Sequence, residues 1–185
     1  MKRKKNYGQK KQVLVYHLGN DEEKLLDVLQ KLSISVKVLE PAELSESIGY
    51  LCGMYGFTPA GLPPAGENPK KPLMVFSGIT RAELDRILSA CFQAGIAAPA
   101  LKAMVTETNK HWSVLQLLIE IEKEHQLMQA LKALKKRRQA VDLSAQPDDA
   151  LLRAAAHADV LLNGMKKPTL EEVLQTDKQL SEAVQ

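Results

Sequence analysis

The sequence contains few of the residue patterns that form metal centres or reactive thiols. It has two cysteines, Cys52 and Cys91, which lie far apart, and four histidines that never occur as HxxxH or HxH. These spacings indicate neither a zinc site nor a disulfide framework. Each cysteine falls in a helical apolar stripe, where a cysteine is usually a small buried hydrophobe. We therefore expect no metal, no cofactor and no catalytic thiolate.

Other catalytic and membrane signatures are missing as well. The chain has no GxSxG element, and its glycine turns "HLGND" and "SGITR" do not match a phosphate-binding loop. No apolar run approaches the roughly 18 residues that span a bilayer, and the lysine-rich start leads into a strand-like run rather than a signal peptide. We expect a cytoplasmic protein without catalytic residues and without membrane contact.

The positive charge is concentrated at the N-terminus. The net charge is +3, but residues 1–11 contain no acid, so acidic residues outnumber basic ones in the rest of the chain. Basic runs gain affinity for phosphate backbones by releasing counterions, and this predicts at most a weak RNA contact. Aromatics make up only 4% of the chain, and residues 1–11 contain a single one, Tyr7, so the sequence gives little support for base stacking. The candidate nucleic-acid contacts in this disordered tail are Lys2, Arg3, Lys4, Lys5, Lys10 and Lys11.

Two stretches of the chain repeat the same order of predicted elements. Residues 12–55 and 73–141 each spell strand, helix, strand, helix, and the pairing of "VLVY" with "LMVF" suggests a diverged internal repeat. Because every connection is long enough for a parallel crossover, we predict an α/β fold with a small, mostly parallel sheet of about four strands. The alternative is a ferredoxin-like α+β fold.

The remaining segments differ in kind from these two halves. Residues 56–72 contain five prolines and three glycines, which predicts a linker or long surface loop. The long helix that closes the second half has an apolar stripe, formed by Val114, Leu118, Ile121, Met128 and Leu131. Residues 142–185 read as two further helices, and we predict a helical hairpin appended to the α/β body.

The stretch "KAMVTETNKHWS" is the main candidate site, because it follows a predicted parallel strand. Ligands in open α/β sheets bind at the carboxyl ends of the strands. This stretch contains polar, charged and stacking side chains. In a parallel sheet, the residues that follow the preceding strand would lie at the same edge of the sheet. The candidates are Ser77, Thr80, Arg81, Thr106, Thr108, Asn109, Lys110, His111 and Trp112. In the alternative interpretation, Thr108, Asn109 and Ser113 only cap and turn the chain, while Trp112 packs between helix and sheet.

The second half also resembles a known family. "PLMVFSGITRAELDRILSACFQAGI" followed by "LKAMVTETNKHWSVLQLLIEIEKEH" is similar to the bacterial domain of unknown function 3783, over roughly residues 73–125. The resemblance rests on a Phe-Ser-Gly turn at Phe76, a Leu-Lys-Ala strand at Leu101 and a Thr-x-Thr-Asn-x-x-Trp element from Thr106 to Trp112. It implies a fold unit and a bacterial cytoplasmic setting, but no catalytic residue.

These features favour a binding function over catalysis. The leading hypothesis is a non-enzymatic binding or regulatory module for a partner protein or a small anionic ligand. The alternatives are an enzyme that acts on a phosphorylated or nucleotide substrate, and a ribosome- or RNA-associated factor that uses the basic tail.

Overall fold

The computed structural model describes residues 10–61, 69–96, 101–141 and 149–183. Its strands and helices are β1 (Gln12–Tyr16), α1 (Glu22–Lys31), β2 (Ser35–Val38), α2 (Ile48–Leu51), β3 (Leu73–Ser77), α3 (Arg81–Gln93), β4 (Leu101–Met104), α4 (Val114–Val141), α5 (Asp149–Asn163) and α6 (Leu170–Ala183). Short 3-10 helices occur at Gly19–Asp21, Pro41–Ser45 and Asn109–His111. The chain forms two compact units, Met1–Ile121 and Glu122–Gln185.

The four strands form one sheet in the order β2-β1-β3-β4. The outer pairs β1–β2 and β3–β4 are parallel, whereas the central pair β1–β3 is antiparallel. This confirms the predicted α/β fold with a mostly parallel four-strand sheet. The ferredoxin-like alternative would separate the two strands of each β-α-β unit. Here they lie side by side.

The antiparallel centre decides which loops share an edge of the sheet. β3 and β4 run in the same direction, so the chain after Ser77 and the chain after Met104 leave at one edge. β1 runs the other way, and the "HLGND" turn that follows it therefore lies at the opposite edge from "SGITR". The two glycine turns do not contribute to one pocket.

Side chains alternate between the two faces of the sheet, as the period of a strand requires. One face packs against α1 and α3, with Val13 and Phe76 buried against Leu25 and Ile87. The other face packs against α2 and the first turns of α4, and its buried residues include Leu14, Val75, Ile48, Val114 and Leu118. The sheet is thus covered on both faces, and the loops at its edges are held by this core.

The second unit is built from the later part of α4 with α5 and α6. Its buried residues include Leu127, Leu134, Ala158, Val173 and Leu180. The predicted stripe of α4 is correct at Val114, Leu118 and Ile121 and wrong at Met128, which is 53% exposed, whereas Leu131 is partly buried. In this unit the packing of α5 and α6 buries other positions of the helix, namely Leu127, Ala130 and Leu134.

Two arginines near the end of α4 bind acids on the neighbouring helices of this unit. Arg137 donates from Nε and Nη2 to the two carboxylate oxygens of Asp177, at 2.8 and 3.2 Å. Arg138 donates from Nη2 to Asp159 Oδ2 at 2.7 Å. Forked contacts of this kind fix orientation as well as charge. Within the described ranges, no helix combines the length and apolarity needed to cross a membrane.

Candidate functional site

The candidate site is the junction between β4 and α4, next to the end of β3. Val105 N donates to Phe76 O at 2.8 Å, which continues the β3–β4 pairing to the start of the junction. The chain then passes through Thr106 and the 3-10 helix before α4 begins. Thr106 and Ser77 accordingly follow neighbouring parallel strands at the same edge.

The polar groups of Thr106 and Asn109 bond to each other's backbone. Thr106 N donates to Asn109 Oδ1 at 2.7 Å, and Asn109 N donates to Thr106 Oγ1 at 3.2 Å. Asn109 Nδ2 also donates to Met104 O at 2.9 Å, and the residue is only 8% exposed. This reciprocal arrangement closes the turn, as short polar side chains commonly do. Both side chains are used within the junction.

Ser77 is buried at the end of β3, where it meets Cys52. A hydrogen bond with Ser77 and the charge of Lys37 favour the thiolate, but burial outweighs them and raises the pKa of Cys52. Burial likewise raises the pKa of Cys91. Both thiols are therefore protonated near neutral pH, which makes them poor nucleophiles.

Thr80 and Arg81 form the start of α3. Thr80 Oγ1 accepts from Glu83 N at 3.3 Å, and Glu83 Oε2 accepts from Thr80 N at 2.9 Å, which is a complete capping box. Lys11 binds the same carboxylate, and together these bonds lower the pKa of Glu83 to about 2. Arg81 lies 3.4 Å from Asp85 and is exposed.

The remaining candidates lie on the outside of the junction, apart from the tryptophan. Thr108 and His111 are exposed, and Lys110 donates to Glu107 Oε2 at 2.6 Å. The ring of His111 lies 5.1 Å from the ring of Phe57, measured between centroids. Trp112 is half-buried against the core.

Phe57 is a residue of this surface that sequence reasoning assigned to the linker. Its ring packs against the backbone of α2 so closely that a Cβ added to Gly49 would lie 2.5 Å from it. The loop after it is held by Glu46, whose carboxylate accepts from Ala60 N at 2.7 Å and from Gly61 N at 3.3 Å. The rest of the predicted linker, from 62 to 68, lies outside the described residues.

Two more aromatic residues flank Phe57 along the chain. Tyr50 follows Gly49 and is partly exposed, while Tyr55 is fully exposed. Three of the chain's eight aromatic residues fall within positions 50–57, and this local enrichment is the sequence signal that could have found the surface. We call Tyr50, Tyr55, Phe57 and His111 the aromatic patch.

The starts of α2 and α4 are bonded to each other. Ile48 N donates to Trp112 O at 3.0 Å, and Val114 N donates to Glu46 O at 3.1 Å. Between these bonds, Ser47 and Ser113 cap their own helices through bonds from Tyr50 N and Gln116 N. The two helix starts are thus bonded into one unit, with Gly49, which Phe57 contacts, in α2 and His111 just before α4.

The basic tail enters at the same edge of the sheet. Of its six candidate residues, Lys10 and Lys11 are described and Lys2, Arg3, Lys4 and Lys5 lie outside the described residues. In the part of the chain that the structure describes, no cluster of three His, Cys, Asp or Glu residues could hold a metal ion.

Comparison with known proteins adds a family to this geometry. Residues 72–128 match the family model described as "Domain of unknown function (DUF3783)". Neither the curated proteins nor the solved structures gave a significant match to the chain. The matched segment contains β3, α3, β4, the junction and the first half of α4. The predicted resemblance to this domain of unknown function is confirmed over residues 72–128.

Proposed function

We propose that this chain is a non-enzymatic binding or regulatory module of the bacterial cytoplasm, and that it recognises a partner protein through the aromatic patch. The observation that carries the proposal is the Phe57–His111 ring pair, in which Phe57 packs against Gly49 of α2 and His111 precedes the bonded start of α4. Tyr55 and His111 are exposed beside it, and aromatic side chains at the surface are enriched in protein interfaces.

A protein partner is favoured over a small anion because of how the junction uses its polar groups. The side chains of Thr106 and Asn109 already bond within the turn, and Lys110 binds Glu107. An incoming anion would have to displace these bonds to gain its own. A partner that packs on the rings can leave them in place.

Site-specific photo-crosslinking tests the proposal. A benzophenone amino acid at Tyr55, in protein expressed in its native host, is expected to yield one discrete adduct, whose partner is then identified by mass spectrometry. The matched control carries the same amino acid at Phe92, an exposed aromatic of α3 outside the patch. Adducts that are identical from both positions, or no adduct from Tyr55, would contradict the proposal.

A second candidate is RNA contact through the basic tail, favoured by where the tail joins the sheet. Lys11 binds Glu83 in the first turn of α3, and Arg86 of the same helix lines the adjacent groove. Binding to a single-stranded RNA oligonucleotide should fall steeply with salt. Deletion of residues 1–9 should abolish it, and salt-independent binding would rule this candidate out.

The alternative of an enzyme acting on a phosphorylated or nucleotide substrate rests on His111, which lies four positions after Glu107 in the sequence. It requires a turnover of phosphate esters or nucleotides that His111→Ala removes. The raised pKa values of both thiols leave no activated cysteine among the described residues to act as a nucleophile.

We also infer that the two β-α-β-α halves are a diverged internal repeat. The antiparallel β1–β3 pair and the reciprocal bonds between the starts of α2 and α4 support an approximate two-fold relation between the halves. Ser47 and Ser113 occupy equivalent capping positions in it. Separately expressed halves that associate into the native sheet would support this origin.

A further inference from the structure

The second unit contains a groove that combines an apolar floor with a basic rim. It has a volume of about 420 Å³ and lies between one face of α4 and the turn that joins α5 to α6. The floor is apolar, with contributions from Met128, Leu131, Leu161 and Met165. Met128 is 53% exposed and Met165 is fully exposed, so the second unit leaves these side chains uncovered.

Four lysines surround this floor, and we call the whole the lysine-rimmed groove. They are Lys132, Lys135, Lys166 and Lys167, and no acidic side chain lines the groove. Two of them have acidic neighbours, because Lys167 lies 3.4 Å from Glu124 and Lys166 lowers the pKa of Glu172. Lys132 and Lys135 have no ion-pair partner among the described residues. The rim is thus positive, and Lys132 and Lys135 contribute most of its unpaired charge.

The shape of the groove is set before anything binds. Met128, Leu131, Lys132 and Lys135 follow helical i, i+3, i+4, i+7 spacing, which places them along one face of α4. On the other side, Gly164 N donates to Val160 O at 2.8 Å, and a Cβ at Gly164 would lie 2.4 Å from that oxygen. The turn that carries Met165 is therefore held tightly against the end of α5.

We propose that the lysine-rimmed groove binds an acidic amphipathic helix of a partner protein. The apolar ridge of such a helix fills the floor, and its flanking carboxylates meet the lysines on the rim. Methionine suits this role because its flexible, polarisable side chain adapts to the residues it meets. A concave floor receives a ridge, whereas a flat bilayer surface would leave that floor empty. This site lies in the second unit and is independent of the aromatic patch.

Fluorescence anisotropy with synthetic peptides tests the proposal on the full-length protein. The probe is a labelled peptide with leucines at i, i+3, i+4 and i+7 and glutamates at most other positions. Two control peptides carry the same residues scrambled around the helix, or lysines in place of the glutamates. Only the striped acidic peptide is expected to bind, and added salt should weaken it. Equal binding of all three peptides, or no binding, would overturn the proposal.

Variants locate the binding on the protein. Lys132→Glu with Lys135→Glu is expected to weaken binding about tenfold or more. The matched control, Lys24→Glu with Lys70→Glu, changes net charge equally but lies in the first unit, and should leave affinity unchanged. Met165→Ser removes an exposed apolar side chain and should weaken binding without shifting the melting temperature. Equal effects of both charge-reversed pairs would place the binding elsewhere.

Two further measurements test whether the groove binds a lipid surface or a second copy of the chain instead of an acidic helix. Vesicles of phosphatidylcholine with phosphatidylglycerol probe a lipid surface, and sedimentation velocity probes a second copy of this chain. If the proposal is right, the Lys132→Glu, Lys135→Glu variant binds vesicles and self-associates to the same extent as the original protein. If the groove variant abolished either of them while the acidic peptide failed to bind, a membrane or a second copy would be the occupant instead.

Discussion

Asn109 bonds through its side chain to the backbone of its own junction, and its burial makes those bonds costly to lose. Asn109→Ala leaves the amide of Thr106 and the carbonyl of Met104 without these partners. We expect a loss on the order of 2 kcal/mol in the free energy of unfolding. Urea unfolding followed by tryptophan fluorescence measures it, because the sole tryptophan, Trp112, reports on the first unit.

Thr108→Ala is the matched control for this measurement. Thr108 is exposed and makes no capping hydrogen bond, so its substitution should change stability by less than about 0.5 kcal/mol. If Asn109→Ala unfolded at the same urea concentration as the original protein, its amide would be available for a ligand after all.

At the residue scale, hydrogen bonds between residues a few positions apart follow from the sequence, whereas contacts between distant segments do not. The capping pairs Thr80–Glu83 and Ser113–Gln116 are three residues apart, so composition and spacing reveal them. The contact between Phe57 and His111 joins two segments through the packing of α2 on the junction. No local pattern encodes that packing, and Phe57 was consequently assigned to a linker.

The capping box of α3 makes the stability of this element depend on pH. Bonds from Lys11, the amide of Thr80 and its hydroxyl lower the pKa of Glu83 from its usual 4.5 to about 2. The folded state therefore binds this proton less tightly than the unfolded state. The carboxylate stabilises the fold above about pH 4.5, and that contribution is lost as the pH falls towards about 2.

Glu83→Gln should remove this part of the pH dependence. We expect the original protein to lose more thermal stability between about pH 5 and about pH 2 than the variant does, with Trp112 fluorescence as the readout. Glu23→Gln, at an exposed position in α1, serves as the control and should behave like the original protein. Parallel melting curves for the original protein and Glu83→Gln would contradict the role of the box.

The packing of Phe57 against α2 leads to a second prediction at the scale of the elements. Alanine normally favours a helix over glycine, yet a Cβ at Gly49 would meet the ring of Phe57 at 2.5 Å. Gly49→Ala should therefore cost about 1–3 kcal/mol of stability. In Phe57→Ala the clash is absent, so adding Gly49→Ala should cost nothing further. If the losses of stability added up in the double variant, the ring of Phe57 would not pack against Gly49.

Periodicity also explains the partial success with α4. A single apolar stripe predicts that one face of the helix is buried. This prediction is correct for Val114, Leu118 and Ile121 in the first unit. In the second unit the buried positions are chosen by α5 and α6, which periodicity within α4 cannot reveal. The exposure of Met128 follows from this, and so does the apolar floor of the lysine-rimmed groove.

At the scale of the whole molecule, the sequence predicted the elements of the sheet but not the direction in which its halves meet. A β-α-β unit has a strong preference for parallel neighbours, which makes β1–β2 and β3–β4 predictable. The long segment between α2 and β3 permits either direction for β1 and β3. Their antiparallel pairing is decided by packing over the whole sheet, and it places the two glycine turns at opposite edges.

Thr106 and Asn109 bond within the junction, whereas His111 of the junction and Tyr55 are exposed on the aromatic patch, where we propose that the partner binds. The most direct test is isothermal titration calorimetry with the partner identified by crosslinking. Tyr55→Ala with His111→Ala, both exposed positions, should weaken binding more than about tenfold while the melting temperature is unchanged. Phe92→Ala should bind like the original protein. Unchanged affinity of the double variant, or an equal loss in Phe92→Ala, would contradict the account.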